Sequence, residues 1–145
     1  MKVVVQRCQK GQVMVNQKVI NEIDQGFVIL IGIASDDTLE DMNYLVRKIL
    51  NLRVFDDEKG VMNLSVKDIK GEVLSVSQFT LYGDTKKGNR PSYILALGGK
   101  DANLLYELFN KELQKEINTK TGVFGADMQV ALINDGPVTI LIEKE

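Results

Sequence analysis

Whatever chemistry this sequence performs, it performs without histidine. The 145 residues contain none, which removes Ser-His-Asp and Cys-His catalysis, histidine general bases and histidine-ligated zinc. The single cysteine, Cys8, allows no internal disulfide and no cysteine cluster for a metal, and it fits a reducing compartment. Hydroxyls, carboxylates, lysines, backbone amides and the substrate itself remain. Two segments concentrate such groups. The first, Ser77-Gln78-Phe79-Thr80-Leu81, reads as the end of a strand entering a glycine-containing loop. Where sheet pairing stops, free backbone N–H groups can point at a ligand and form an oxyanion hole, worth roughly 3–4 kcal/mol per donor. The plainer alternative is a strand end whose hydroxyls bond nearby backbone. The second is Asn134-Asp135-Gly136-Pro137-Val138-Thr139. Its Asn-Asp-Gly tolerates unusual backbone angles, and proline cannot donate to a ladder. If the X–Pro bond is cis, two carbonyl oxygens point nearly the same way. A simple hairpin turn between two strands is the competing reading.

Other groups carry weaker signals. Cys8, at the end of the first strand, reads as a small packed residue, since only Arg7 or Lys10 stands near enough in sequence to activate it. The run Asp56-Asp57-Glu58 has carboxylates for a hard cation, but Lys59-Gly60 after it suggests a solvated turn. Lys86, Lys87 and Arg90 could form a local basic patch. The whole chain, at a formal net charge of −2, is not built to coat nucleic acid nonspecifically.

These residues need a frame to hold them. The length suits one domain, and the apolar fraction of 44% with mixed charges is ordinary globular composition. No apolar run approaches the roughly 18–20 residues that span a bilayer, and the start reads as a strand rather than a signal peptide. Strands are predicted over Lys2–Gln9 and Gln12–Asn16 with a turn near Lys10-Gly11, and a buried strand over Gly26–Ala34. A helix capped by Asp36, Asp37 or Thr38 should bury Leu39, Met42, Leu45, Val46, Ile49 and Leu50. A strand is predicted over Glu72–Leu81 and a polar loop over Tyr82–Ser92. A second helix follows over about Asp101–Asn118, buried through Ala102, Leu105, Leu108, Phe109, Leu113 and Ile117. Two last strands, Asp127–Ile133 and Val138–Glu143, close the chain. The order implies an α/β, α+β-like fold in a single compact domain. It has a mixed, largely antiparallel sheet carrying two main helices.

At the two polar segments the sequence resembles the D-aminoacyl-tRNA deacylases, over essentially its full length. Ser77-Gln78-Phe79-Thr80 matches the family's SQFT motif, and Asn134 to Thr139 its NxGPVT motif. The agreement extends to Val5-Gln6-Arg7, Asn51-Leu52-Arg53, Lys87-Gly88-Asn89-Arg90-Pro91-Ser92, Thr121-Gly122 and Phe124-Gly125-Ala126-Asp127-Met128. Tyr93, where phenylalanine is usual, is a mild departure.

The resemblance implies one deacylase domain over residues 1–145, working as a cytoplasmic homodimer with its active site at the subunit interface. Its substrate would be the 3′ end of aminoacyl-tRNA, and no cofactor, metal, membrane or DNA is expected. Backbone at Ser77, Gln78, Phe79 and Thr80 would bind the aminoacyl group and terminal adenosine. Gly136-Pro137 would reach, as a cis peptide, into the other subunit's pocket, which Ala102, Phe124 and Met128 would line. Ester hydrolysis on a ribose hydroxyl needs oxyanion stabilisation and a positioned water more than a strong base, and the adjacent 2′-OH can assist. Thr80 as nucleophile is the alternative, although no base stands beside it in sequence. L side chains would be excluded by the Gly-Pro carbonyls, while glycine would pass. Two competing readings are an editing module for a small L-amino acid and a noncatalytic nucleic-acid binder. The intact Gly-Pro motif argues against the first. Low net charge and the absence of an exposed aromatic platform argue against the second.

Overall fold

The computed structural model describes residues 1–144. Its strands are β1 (Lys2–Val15), β2 (Lys18–Ile23), β3 (Gly26–Gly32), β4 (Phe55–Asp56), β5 (Met62–Leu64), β6 (Glu72–Ser77), β7 (Thr119–Thr121) and β8 (Gln129–Glu143). The helices are α1 (Leu39–Asn51) and α2 (Gly99–Gln114), and a 3-10 turn spans Phe79–Tyr82. β1 pairs antiparallel with β2, β3 and β8, whereas β3–β6 and β6–β7 are parallel. The sheet is therefore mixed and largely antiparallel in one domain with two helices, as the sequence implied.

β1 does not break at Lys10-Gly11. It runs on to Val15, and the chain reverses at Asn16 and Gln17, whose φ angles of 51° and 66° are those of a tight hairpin turn. Gly11 serves a different need: a Cβ there would lie 2.5 Å from the Val28 side chain. The glycine lets β1 pass close over the Val28 side chain of β3; it does not turn the chain. The register of β1 with β2 continues unchanged into β3, with Gly11 opposite Ile23 and Cys8 opposite Gly26. One long arm thus lies along one edge of β1, and β8 takes the other.

β3 and β6 are buried on both faces, which explains their nearly continuous apolar sequence. Phe27, Ile29 and Ile31 face the helices and pack with Leu45, Ile49, Phe109 and Leu113. Val28, Leu74 and Val76 face the opposite way, where Cys8, Val13 and Ile23 cover them as the sheet curls back. β6 stops at Ser77, short of the predicted Leu81, because the chain tightens into the 3-10 turn.

α1 is fixed by a capping box. The Asp41 amide donates to Thr38 Oγ1 (3.2 Å), and the Thr38 amide donates to the Asp41 carboxylate (2.9 Å). That second bond holds the Asp41 carboxyl below its ordinary pKa. Met42, Leu45, Val46, Ile49 and Leu50 are buried as expected, but Leu39 is exposed. It opens the helix before the apolar stripe has turned toward the sheet. Thr38→Ala should lower stability by about 1 kcal/mol, the usual worth of such a cap, read as a lower urea midpoint at unchanged m-value.

α2 begins at Gly99, two residues before the predicted start, and ends at Gln114. Its buried stripe is Ala102, Tyr106, Phe109, Asn110 and Leu113. Leu105 and Leu108 are only partly buried, and Ile117 packs beyond the helix end. Asp56-Asp57-Glu58 belongs to the β4–β5 hairpin, where the Asp57 carboxylate accepts from the amides of Lys59 (2.9 Å) and Val61 (3.1 Å).

The last strand holds the main surprise. β8 is one strand of 15 residues, not two joined by a hairpin, and both halves pair with β1. Gln6 stands opposite Thr139 and Cys8 opposite Asn134. Only Arg7 lies between the first pair members, against Asp135 to Val138 between the second. The Asn-Asp-Gly-Pro segment is therefore a large bulge within a ladder. It contains a cis Gly136–Pro137 peptide.

Candidate active site

A cavity of about 600 Å³ opens where β6 ends, between the 3-10 turn, the start of α2 and the Phe124–Met128 loop. Six of the nine residues singled out from the sequence line it: Ser77, Gln78, Phe79, Ala102, Phe124 and Met128. Thr80 lies on the adjoining turn, exposed, with its hydroxyl accepting from the Gln78 side-chain amide. Gly136 and Pro137 are exposed and are not among the residues that line the cavity of their own chain.

The sheet positions the turn. The Gln78 amide donates to the Ile31 carbonyl (2.7 Å), tying the strand end to β3. Gly32 lies beneath, and a Cβ on it would meet Leu81 Cβ at 3.0 Å and the Gln78 carbonyl at 3.2 Å. The Leu81 amide closes onto the Gln78 carbonyl (3.3 Å). The amides of Phe79 and Thr80, which precede the first closing bond, have no carbonyl of the turn to bond. Across the cavity, α2 starts at Gly98–Gly99 with no side-chain cap, so its positive end faces the same space.

The floor is held from below. Tyr106 donates its hydroxyl to the Ser75 carbonyl (2.8 Å), which also accepts from the Gly122 amide (2.9 Å). Burial pushes the Tyr106 phenol above its usual pKa, so it stays a donor. Its ring packs on Phe124 at 5.8 Å between centroids. Asp127 is the one carboxylate among the lining residues, and no lysine or arginine joins it. The site therefore has no acid–base pair of side chains. It offers backbone donors, Ser77, Gln78 and apolar walls.

Residues that the sequence reading missed include Tyr93, Leu97 and the Gly98–Gly99 step. The Gly-Gly pair was a visible signal of a helix start without a side-chain cap. Phe79 and Tyr93 also form an edge-to-face pair at 5.0 Å, and both are exposed. An exposed aromatic surface is thus present, contrary to expectation. Its two rings are 14 residues apart in sequence and meet only through the fold.

Arg7 organises the bulge of β8. Its Nε donates to the Asp135 carbonyl (3.1 Å) and its NH1 to the Val54 carbonyl (2.6 Å), and the guanidinium also pairs with the carboxylates of Asp135 (3.5 Å) and Asp56 (3.7 Å). The Asn134 side-chain Nδ2 donates to Thr139 Oγ1 (2.9 Å) across the neck. Cys8 is fully buried, and burial pushes its thiol up to about 11, which suits packing and not nucleophilic attack. Among the described residues no three metal-ligating side chains converge, and no helix is long and apolar enough to cross a membrane.

Comparison with known proteins gives consistent matches. The family model described as D-Tyr-tRNA(Tyr) deacylase matches residues 4–143. A D-aminoacyl-tRNA deacylase of Clostridium novyi (strain NT) is 55% identical over 146 residues, covering 100% of this chain and 98% of the relative. A solved structure named c-Myc DNA Unwinding Element Binding Protein superposes with a TM-score of 0.95 at 45% identity, covering 100% of this chain and 99% of that one. A second, described as a probable eukaryotic D-amino acid tRNA deacylase, has a TM-score of 0.82 at 20% identity over 97% of both chains, and at that identity shows the fold alone.

Proposed function

Because the chain belongs to the D-Tyr-tRNA(Tyr) deacylase family and is with it a D-aminoacyl-tRNA hydrolase, we propose how its residues divide the work. Residues 1–145 act as one deacylase domain in the cytoplasm, as a homodimer, without a cofactor or metal. The cavity at the end of β6 receives the aminoacyl-adenosine end of tRNA. The observation that carries this reading is the convergence of Ser77, Gln78, Phe79, Ala102, Phe124 and Met128 on one cavity.

The free amides at Phe79 and Thr80 stabilise the oxyanion that forms when water adds to the ester carbonyl. The bond from that carbon to the ribose oxygen then breaks, and the ribose oxygen takes a proton. The neighbouring 2′-OH of the RNA relays protons, since the cavity lining holds a single carboxylate, Asp127, and no acid–base pair of side chains. Thr80 positions the substrate. Its hydroxyl accepts a hydrogen bond from an amide, which is no base.

Gly136 and Pro137 act from the second subunit. They stand on an exposed bulge that Arg7 holds firm, and the outer edge of β8 pairs with no strand among the described residues. Ile133 and Leu141, both exposed on that strand, give the edge an apolar surface. From a partner, the bulge carbonyls crowd the position of an L side chain and leave the D direction open. Glycine, which has no side chain, is hydrolysed too.

Deacylation of D-Tyr-tRNA and L-Tyr-tRNA by the purified protein, with and without chelator, tests the reading. Loss of the D ester alone, at equal rates with chelator, is expected. Survival of both esters in the presence of folded dimer would refute it. Thr80→Ala should keep substantial hydrolysis of D-Tyr-tRNA, and its complete loss with normal tRNA binding would return Thr80 to the nucleophile's role.

A further inference from the structure

A segment that the site does not use stands beside its mouth. Residues 83–92 form an exposed excursion between the 3-10 turn and the stretch leading to α2. Both ends are fixed. At the start, the Gly83 amide donates to the Thr80 carbonyl (2.9 Å). Asp84 and Ser92 then exchange backbone bonds of 2.8 and 2.9 Å, which pinches the base into a finger. At the far end, Tyr93 packs edge-to-face on Phe79, and the Leu97 amide donates to the Ile33 carbonyl (2.8 Å). The finger is thus rooted in the turn that forms the cavity's rim.

Its tip is basic. Lys86, Lys87 and Arg90 are all exposed, and among the described residues none makes an ion pair. The only carboxylate in the segment, Asp84, is occupied at one oxygen by the Lys86 amide (2.9 Å). Three cations against one carboxylate leave the finger at +2 in a chain whose net charge is −2. The contrast makes it a local positive field on an otherwise acidic molecule. Lys86 and Arg90 each lie two residues from the pinched base, so their Cα atoms are within about 7 Å of it. The charges therefore cannot stray far from the cavity mouth.

We propose that this finger, through Lys86, Lys87 and Arg90, binds phosphates of the single-stranded RNA that leads into the cavity, next to the terminal nucleotide. The inference rests on the reading of the cavity as the aminoacyl-adenosine site. A terminal nucleoside seated there must have its phosphodiester chain leave through the mouth, and the finger is a cationic element rooted at that mouth, carrying three positive charges. Exposed, unpaired cations on a short pinched loop suit a backbone contact: they lower the free energy of every sequence alike and select none.

Two measurements on the triple variant Lys86→Ala, Lys87→Ala, Arg90→Ala test it. For full-length D-Tyr-tRNA, KM should rise about tenfold with kcat unchanged. The log–log dependence of kcat/KM on salt should become shallower by about 2, from about 0.7 per lost phosphate contact. For D-tyrosyl-adenosine, which has no upstream phosphate, the variant should match the wild-type protein. Equal KM and equal salt slope on tRNA, or an equal loss on both substrates, would overturn the proposal. Binding of uncharged tRNA, followed by fluorescence anisotropy against salt, separates this inference from the reading of the cavity. A wild-type protein that binds tRNA through the finger yet hydrolyses neither substrate would sink the catalytic reading alone. Binding that ignores the three substitutions would sink the finger alone. A single-stranded DNA bound more tightly than tRNA, and through the same residues, would reassign the finger to DNA and overturn it as well.

Discussion

Ala102→Leu should yield a folded protein whose kcat/KM for D-Tyr-tRNA is reduced about a hundredfold, the scale of loss when a reacting group is misplaced by about 1 Å. Ala102 lies in the first turn of α2, buried against the cavity and directly across from the end of β6. A larger side chain there has space to enter, because the cavity of about 600 Å³ adjoins it. Overpacking should therefore cost stability only at the low end of its usual range of about 1–3 kcal/mol. The added volume lies where the aminoacyl group must sit, 25 residues along the chain from Ser77 but on the same cavity wall. Steady-state kinetics alongside a thermal melt measure both effects. An unaltered kcat/KM in a protein that melts normally would show that catalysis takes place elsewhere. Glycyl-tRNA, with the smallest acyl group, should suffer the smaller loss.

Arg7→Ala should reduce stability by about 2 kcal/mol, chiefly through the charge-assisted hydrogen bond to the buried Val54 carbonyl, a kind of bond worth about 1.5–3 kcal/mol. The Val54 carbonyl loses its 2.6 Å donor in a buried setting, and the Asp135 carbonyl loses one at 3.1 Å. The partner carboxylates of Asp56 and Asp135 are partly exposed and can rehydrate, so their loss adds little. The functional effect should exceed the structural one. Four residues, Asp135 to Val138, bow out opposite Arg7, and nothing else in β1 spans that gap. Without the guanidinium the bulge loosens, and the discrimination between D-Tyr-tRNA and L-Tyr-tRNA should fall by more than the overall rate of D-ester hydrolysis. Arg7→Lys should restore charge but not the forked donation to two carbonyls, and so recover only part of the loss. Denaturant unfolding gives the first quantity and the ratio of kcat/KM for the two esters the second. A destabilised variant with an unchanged ratio would detach the bulge from chiral selection.

Both predictions depend on features that differ in how openly the sequence shows them. The SQFT segment was visible because a polar cluster at the end of an apolar, alternating stretch is unusual, and the fold does place it at a strand end beside a cavity. The stripe of α1 was visible because its 3.6-residue periodicity and its cap are both local. The role of Arg7 was not. A guanidinium in a strand has no local partner to announce it, and its four contacts come from residues 47 or more positions away. Nor was the Phe79–Tyr93 pair, which is joined across the basic finger.

By itself, then, the sequence determined what short-range physics decides. It set the identity of the helices, the buried central strands, the absence of histidine chemistry and the two polar segments that mark the family. The tertiary structure decided the meaning of the ambiguous glycines and prolines. Gly11 reads as a turn in isolation, yet in the fold it stands where any added Cβ would come within 2.5 Å of a Val28 methyl. Asn-Asp-Gly-Pro satisfies a hairpin and a bulge equally well, because both need the same permissive backbone angles. The choice fell to β1, a strand long enough to pair with the chain on both sides of the segment. Conformational permissiveness is encoded locally, but which permitted conformation is adopted depends on the partners that only long-range pairing supplies.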